Sequence, residues 1–362
     1  MKKFLCKAAA LVIILYAVVV LVNKMTDPAN LFHGQLVDAL ASELLAGNIV
    51  ESPGDFDEGR LLVDMVSGME QAPDTVVLGS SHVMYVPWEY ENYYVAALSG
   101  AYLGDYYAVL SVLEEYDRMP KRVVIGLDSW ALLSDYQSGR HSGLQPYAKR
   151  IYGRMHGMPV RESAFSEWKE TCKKQTELFS FSYFQSSVKT LREYGLEYWK
   201  AKKTLAVHTV PDAKESEAPK ILPNGSRVLS SGARCTQEAI RADAMDMVNA
   251  GALYQLGESY NALSEENYAD FVALLSYLQA KGIEVEIYFP TWYPLLYEEL
   301  NRSGRYAAVL DLESRLRTYA QSHDLILHSS YCPENAGVTE ADFVDLMHLK
   351  PEKTVENYNV IL

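Results

Sequence analysis

Short apolar runs alternate with a longer amphipathic segment between residues 73 and 135. The runs "DTVVLGSS", "NYYVAALSG" and "KRVVIGLDSW" predict three strands, and "GDYYAVLSVLEEYDRM" between the last two predicts a helix with one face toward the core. Pro120 ends that helix. Strands and helices that alternate at short intervals are typical of a parallel sheet in an α/β fold.

The same alternation returns after residue 258. A helix is predicted with Ser264 as its N-cap and Gly282 beyond its end. It is followed by a strand ("IEVEIYFP"), a helix ("RYAAVLDLESRLRTYAQSHD") and a strand ("LILHSS"). Residues 136–257 are polar and helix-rich, with no strand of the earlier type. We therefore expect one α/β domain over residues 73–362, interrupted by a helical cap insertion at about 136–257.

The N-terminus has the pattern of a membrane anchor. Three lysines precede or flank an apolar run from Ala8 to Val22, and no small residues suited to signal cleavage follow it. We expect residues 1–24 to form one transmembrane helix, with the N-terminus inside and the body of the protein outside the cell membrane. Residues 25–72 are expected to be a stalk or linker with helical segments.

Charge and cysteine content narrow the range of partners. The formal net charge of −14 disfavours binding to nucleic acid. Outside the anchor, Cys172, Cys235 and Cys332 are too widely spaced for a disulfide framework or a zinc site, although one pair could bridge. No glycine-rich phosphate loop and no histidine cluster with metal spacing is present, so neither a cofactor nor a metal is expected.

The first strand is followed by Ser80, Ser81 and His82. The carboxyl ends of parallel strands border the crevice where α/β folds bind ligands. A serine here has two interpretations: the N-cap of a helix that starts at Ser81 or His82, or a nucleophile held at the crevice. We expect His82 to point away from the crevice and to pack at the surface.

A second polar group lies near the C-terminus. In "DFVDLMHLKPE", Asp345 precedes His348 by three residues, and Pro351 fits the first turn of a final helix. In the loop before that helix, the carboxylate could hold one imidazole nitrogen while the other nitrogen takes a proton from a serine.

The segments "VVLGSSH", "ALSG", "VVIGLDSW" and "DLMHLKPE", in this order, resemble the SGNH or GDSL-type hydrolases. They are most similar to the membrane-anchored extracytoplasmic branch, which includes alginate O-acetyltransferase-like proteins and the D-alanyl transfer protein of teichoic-acid synthesis. The resemblance covers roughly residues 73–135 and 258–362. It implies a flavodoxin-like, three-layer fold and a serine esterase or O-acyltransferase for a cell-envelope glycan or polymer, with a membrane-bound acyltransferase as a candidate partner.

The resemblance also implies a role for individual residues. Ser81 matches the nucleophile, whose own N–H would donate to the oxyanion, and Gly100 matches the second oxyanion donor. His348 matches the base, and Asp345 matches the acid that orients it.

Asp128 stands where the family usually has an asparagine that donates to the oxyanion. An ionised carboxylate there would repel the oxyanion. Asp128 could therefore be a protonated donor or a ligand for another group. Alternatively, it indicates a non-catalytic protein that uses the fold to bind a glycan or a partner.

Three aromatic residues follow strands of the predicted sheet. Trp130, Trp292 and Tyr293 could form a rim that stacks on a sugar, or could belong to the core.

Overall fold

The computed structural model describes residues 2–27, 35–53, 56–135, 137, 141–158, 176–195 and 207–361. The helices are α1 (Lys2–Thr26), α2 (Gln35–Leu45), α3 (Glu58–Gly68), α4 (Leu103–Glu115), α5 (Gln145–Met155), α6 (Phe181–Tyr194), α7 (Gln237–Ala250), α8 (Glu265–Ala280), α9 (Pro294–Ser303), α10 (Ala307–Ala320), α11 (Pro333–Ala336) and α12 (Pro351–Tyr358). The strands are β1 (Ile49–Glu51), β2 (Thr75–Leu78), β3 (Tyr93–Val95), β4 (Arg122–Gly126), β5 (Thr209–Val210), β6 (Lys220–Ile221), β7 (Arg227–Val228), β8 (Glu284–Phe289) and β9 (Ile326–Ser329).

The centre of the fold is a five-stranded sheet in the order β3-β2-β4-β8-β9. All four neighbouring pairs are parallel, and Val76 pairs with Val123, which pairs in turn with Val285. Every residue of β2 is buried, as expected for a central parallel strand covered on both faces. The predicted α/β class with a parallel sheet is confirmed, and the strand order is compatible with a flavodoxin-like fold.

Several element boundaries follow the sequence pattern. The Ser264 side chain accepts a hydrogen bond from Asn267 N at 3.2 Å and caps α8, while Gly282 beyond its end has a φ of +75°. Pro351 is the first residue of α12. These predictions are confirmed, because capping and proline chemistry act within a few residues of the chain.

Helix α4 differs from the amphipathic helix expected. Every residue from Leu103 to Leu113 is buried, because α5 covers the face turned away from the sheet. Because this helix is enclosed on all sides, its buried residues do not lie on one face, and hydrophobic periodicity does not show which face meets the sheet.

A second sheet lies partly within the segment expected to be a helical insertion. Strands β5, β1, β6 and β7 form an antiparallel sheet in that order. The segment expected to be a helical insertion therefore also contains strands, although none is of the earlier parallel type. Strands of two or three residues are too short to produce a recognisable alternation.

The segment expected to be a stalk belongs to the folded body. Leu40 and Leu44 of α2 and Met65 and Val66 of α3 are buried in the same hydrophobic cluster as Val76 of the central sheet. This corrects the stalk interpretation. The helical spacing of these apolar residues gives α2 and α3 faces that pack against the core instead of standing in solvent.

Helix α1 is joined to α6 through buried polar groups. Asn23 is fully buried, and its amide donates to Leu178 O at 2.9 Å while its carbonyl oxygen accepts from Ser187 Oγ at 3.1 Å. Apolar side chains are exposed along the rest of the helix: Val12, Ile14, Leu15, Tyr16, Val18 and Leu21.

Within the described residues, no helix combines the length and the apolar character needed to cross a membrane.

Candidate active site

The carboxyl ends of β2 and β4 approach each other closely at Gly79. Gly79 has a φ of +154°, and a Cβ there would lie 2.8 Å from Gly126 O. Only glycine permits this conformation and this contact. The turn after β2 is therefore held next to the residues that follow β4, which include Asp128.

The two serines after Gly79 have different surroundings. Ser80 is fully buried, and its side chain accepts a hydrogen bond from His82 N at 3.3 Å, which caps a single 3₁₀ turn over Ser81–Val83. Ser81 is partly exposed, and its Oγ lies 2.9 Å from His348 Nε2. Ser80 thus fits the N-cap interpretation, and Ser81 fits the nucleophile interpretation. The helix expected after them is only this 3₁₀ turn, because its hydrogen bonds end at Met84 N.

Asp345 holds the other side of the His348 ring. Its Oδ2 lies 2.8 Å from His348 Nδ1, and its Oδ1 accepts from Met347 N at 2.7 Å and His348 N at 2.8 Å. Burial alone would raise the pKa of Asp345, but the hydrogen bond and charge of His348 outweigh it and lower that pKa. An ionised Asp345 accepts from Nδ1–H, which leaves Nε2 to accept the Ser81 proton.

Gly100 lies in the loop after β3, beside the turn that carries Ser81. Leu98 N donates to Gly79 O at 3.0 Å, and the φ of +61° at Gly100 is one that glycine adopts without strain. In the part of the chain that the structure describes, the amides of Ser81 and Gly100 have no hydrogen-bond partner. They are two unpaired backbone donors, one on the turn that carries Ser81 and one on the neighbouring loop.

The residue before Gly100 is fixed by a carboxylate. Ser99 N and Ser99 Oγ both donate to Glu58, at 2.8 and 2.9 Å, and Arg227 pairs with Glu58 at 2.8 Å. Burial would raise the pKa of Glu58, but the charge of Arg227 and the Ser99 hydrogen bonds lower it. An ionised Glu58 therefore holds the backbone amide and the side chain of Ser99, the residue that precedes Gly100.

His82 is not at the surface, and that expectation is wrong. Only 9 % of its side chain is exposed, its Nδ1 lies 2.5 Å from Asp128 Oδ1, and its Nε2 lies 2.8 Å from Met347 O. A backbone carbonyl only accepts, so Nε2 carries a hydrogen. The 3₁₀ turn, with three residues per turn, directs residue 82 toward β4, whereas the α-helix start assumed from the sequence directs it outward.

The charge of His82 compensates that of Asp128. Burial alone would lower the pKa of His82, but the charge and the hydrogen bond of Asp128 outweigh it and raise that pKa. A protonated His82 donates from Nδ1 to Asp128 and from Nε2 to Met347 O. Asp128 Oδ1 is thus engaged by a cation next to the crevice.

The three aromatic residues for which a rim and a core position were both considered are buried in the core. Trp130, Trp292 and Tyr293 are 2 %, 5 % and 1 % exposed, which rules out an open stacking platform. They line a small cavity together with His82, Asp128, Ser129, Pro290, Thr291, Leu346 and Met347. Residues after adjacent strand ends converge here, and the sequence pattern did not indicate how deeply they lie.

Three residues near the site carried no recognisable signal in the sequence. Tyr85 packs edge-on against His348, with ring centroids 5.6 Å apart. Glu58 and Arg227 lie in segments expected to be linker and cap. Their partners are distant in sequence, since Ser99 is 41 positions from Glu58, so no local motif could identify them.

The described residues contain no cluster of histidine, cysteine and acidic side chains that could hold a metal ion. Cys235 and Cys332 are free thiols, and Cys172 lies outside the described residues.

No protein-family model matches the chain, and no curated protein is significantly similar to it.

Proposed function

We propose that the protein is a serine esterase or O-acyltransferase of the SGNH type. The observation that carries the proposal is the chain of contacts from Ser81 Oγ to His348 Nε2 at 2.9 Å and from His348 Nδ1 to Asp345 Oδ2 at 2.8 Å. A carboxylate that orients an imidazole beside a partly exposed hydroxyl is the arrangement that activates serine as a nucleophile.

The reaction would proceed through an acyl-enzyme. Ser81 Oγ attacks the ester carbonyl carbon while His348 Nε2 accepts its proton, and Asp345 stabilises the resulting imidazolium. The amides of Ser81 and Gly100 donate to the oxyanion. His348 returns the proton to the leaving alkoxide, and water or a second alcohol then repeats the sequence on the acyl-Ser81 ester.

The fold supports the same proposal. Numbered by chain order among themselves, the five parallel strands run 2-1-3-4-5, which is the order of flavodoxin-like sheets. Ser81 follows the first of these strands, at the carboxyl end where such sheets bind ligands. We infer a flavodoxin-like, three-layer SGNH fold on this basis.

A cell-envelope substrate and an extracytoplasmic location remain part of the proposal. The exposed apolar side chains along α1, together with the preceding lysines, support a role of this helix as an anchor in the cell membrane. The substrate would then be a surface glycan or polymer, with a membrane-bound acyltransferase as a candidate partner. A native N-terminus that begins after Lys24 would contradict the anchor.

Labelling with a fluorophosphonate tests the enzymatic role. We expect wild type to be labelled on the peptide that contains Ser81, and Ser81→Ala to be unlabelled. Ser80→Ala is the matched control: it removes the adjacent hydroxyl and an N-cap worth about 1 kcal/mol, and labelling should remain. A wild-type protein that is never labelled would favour the alternative, a non-catalytic glycan- or partner-binding protein, which is the possibility raised by Asp128.

A further inference from the structure

Two residues that line the small cavity beside His82 each have an unsatisfied polar atom. Asp128 Oδ2 and Trp130 Nε1 have no hydrogen-bond partner, and their residues are 1 % and 2 % exposed. Both residues line this cavity, which has room for about one water-sized group. One atom is an acceptor and the other is a donor.

The other polar side chains of the cavity wall are already paired. Trp292 Nε1 donates to Ser129 Oγ at 3.2 Å, and Thr291 Oγ1 donates to Ser330 O at 2.8 Å. Because a buried polar atom without a partner is costly, the two unsatisfied atoms indicate that this cavity takes a polar ligand.

The chemistry of the two atoms restricts this ligand. It must donate to Asp128 Oδ2 and accept from Trp130 Nε1 within the volume of a water-sized group. A carboxylate or phosphate would be repelled by Asp128, and an ammonium group has no lone pair for the indole N–H. A hydroxyl group has both a donor and acceptor lone pairs.

We propose that this cavity is a subsite for a hydroxyl group of the acyl acceptor, so that the acceptor is a polyhydroxylated alcohol. The inference rests on the proposed function. His82, which forms one wall, lies with its ring centroid 5.3 Å from that of His348. One hydroxyl of the acceptor occupies the cavity and a neighbouring hydroxyl reaches His348.

The transfer step involves only the second of these hydroxyls. His348 Nε2 removes its proton, its oxygen bonds to the carbonyl carbon of the acyl-Ser81 ester, and the bond from that carbon to Ser81 Oγ breaks. The proton passes from His348 to Ser81 Oγ. The hydroxyl in the cavity is unchanged and positions the acceptor.

Competition between acceptors tests the subsite in the full-length protein. With p-nitrophenyl acetate as donor, glycerol and 1-propanol compete for the acyl group, and the two acetate esters are quantified. Counted per hydroxyl group, we expect wild type to transfer the acyl group to glycerol about tenfold faster than to 1-propanol, because one hydrogen bond to a charged group is worth about this factor. Trp130→Phe should lose that preference. Trp292→Phe is the matched control, because its N–H already has a partner, and it should keep the preference. Equal losses in both variants would overturn the proposal.

A second measurement does not depend on catalysis. In protein labelled with ¹⁵N-tryptophan, the indole N–H resonance that disappears in Trp130→Phe belongs to Trp130. We expect glycerol to shift this resonance saturably and 1-propanol to leave it unchanged. No shift with glycerol, or equal shifts with both alcohols, would mean that the cavity holds only a water and would overturn the inference. If wild type releases no burst of p-nitrophenol, the proposed function fails, while this titration still decides the subsite.

Discussion

His82 Nε2 donates a hydrogen bond to Met347 O at 2.8 Å, and this contact ties the turn that carries Ser81 to the loop that carries His348. The two segments are 265 positions apart in the sequence. On its other side His82 is fixed by Asp128 at the end of β4. The distance between Ser81 and His348 therefore depends on a side chain that has no part in the proton transfer between them.

Replacement of His82 by alanine tests this tie. The change removes the contact with Met347 O and leaves the buried Asp128 carboxylate unpaired, so we expect a loss of about 3–5 kcal/mol in the free energy of unfolding. Fluorophosphonate labelling should slow by about 100-fold, because small misplacements of a reacting group have effects of that size. His82→Ala combined with Asp128→Asn, which removes the unpaired charge, should recover stability but not labelling. Labelling of His82→Ala at the wild-type rate would show that the tie is dispensable.

Asp128→Asn separates the charge of the pair from its geometry. A neutral His82 can still donate from Nε2 to Met347 O and accept the asparagine amide at Nδ1. We therefore expect labelling within a few-fold of wild type. A loss as large as that of His82→Ala would contradict this account.

The difference in the free energy of unfolding between wild type and Asp128→Asn should depend on pH. The pKa of His82 is raised in the folded protein by Asp128 against the effect of burial, with a smaller contribution from Asp345. The ion pair therefore contributes its full stabilisation of the folded state at pH values below the unfolded-state pKa of His82, which is about 6.5. This contribution is lost as the pH rises through the raised folded-state pKa of His82. The excess stability of wild type over Asp128→Asn should be greatest between about pH 5 and 6.5 and decline above it. Urea unfolding of both proteins across this range is the measurement, and a constant difference would contradict the ion pair.

Glu58 should influence catalysis without contacting the substrate. Glu58→Ala removes the acceptor for both Ser99 donors and so loosens the residue that precedes Gly100. We expect acylation by p-nitrophenyl acetate to slow by about 10- to 100-fold, somewhat less than the loss of an oxyanion donor. Glu58→Gln, which keeps one acceptor oxygen, should be less affected. Equal rates for wild type and Glu58→Ala would exclude this role.

Asp345→Asn should disable the base while leaving the chain folded. The amide cannot enforce donation from His348 Nδ1, and a histidine in the wrong tautomer cannot accept from Ser81, so we expect acylation to fall by about 10⁴-fold. Circular dichroism should remain that of wild type, because Asp345 is partly exposed. Substantial acylation by Asp345→Asn would show that another group orients His348.

The parts of the site that could be predicted from sequence are those set by short stretches of chain. Asp345 and His348 are three residues apart before a proline that begins a helix, so their contact follows from local geometry. The strand ends at Gly79 and Gly126 follow from apolar runs that stop at glycine. The positions of these strand ends bring Ser81 and Asp128 to one edge of the sheet.

The parts of the site that could not be predicted depend on where side chains point and on contacts between segments that are distant in the sequence. Whether His82 points inward depends on a 3₁₀ turn in place of an α-helix, a difference of small energy that no sequence pattern marks. Glu58 finds Ser99 only through packing of α3 and α4. The burial of Trp292 depends on the neighbouring strand ends, which hydrophobic periodicity does not describe.

Mass spectrometry of the acyl-enzyme tests the central claim most directly. Wild type, Ser81→Ala and His348→Ala are each mixed with p-nitrophenyl acetate, quenched in acid and digested. The account predicts one added acetyl group on the Ser81 peptide of wild type and none on that peptide in either variant. An unmodified Ser81 peptide in wild type, or acetylation that persists in His348→Ala at the wild-type rate, would contradict it.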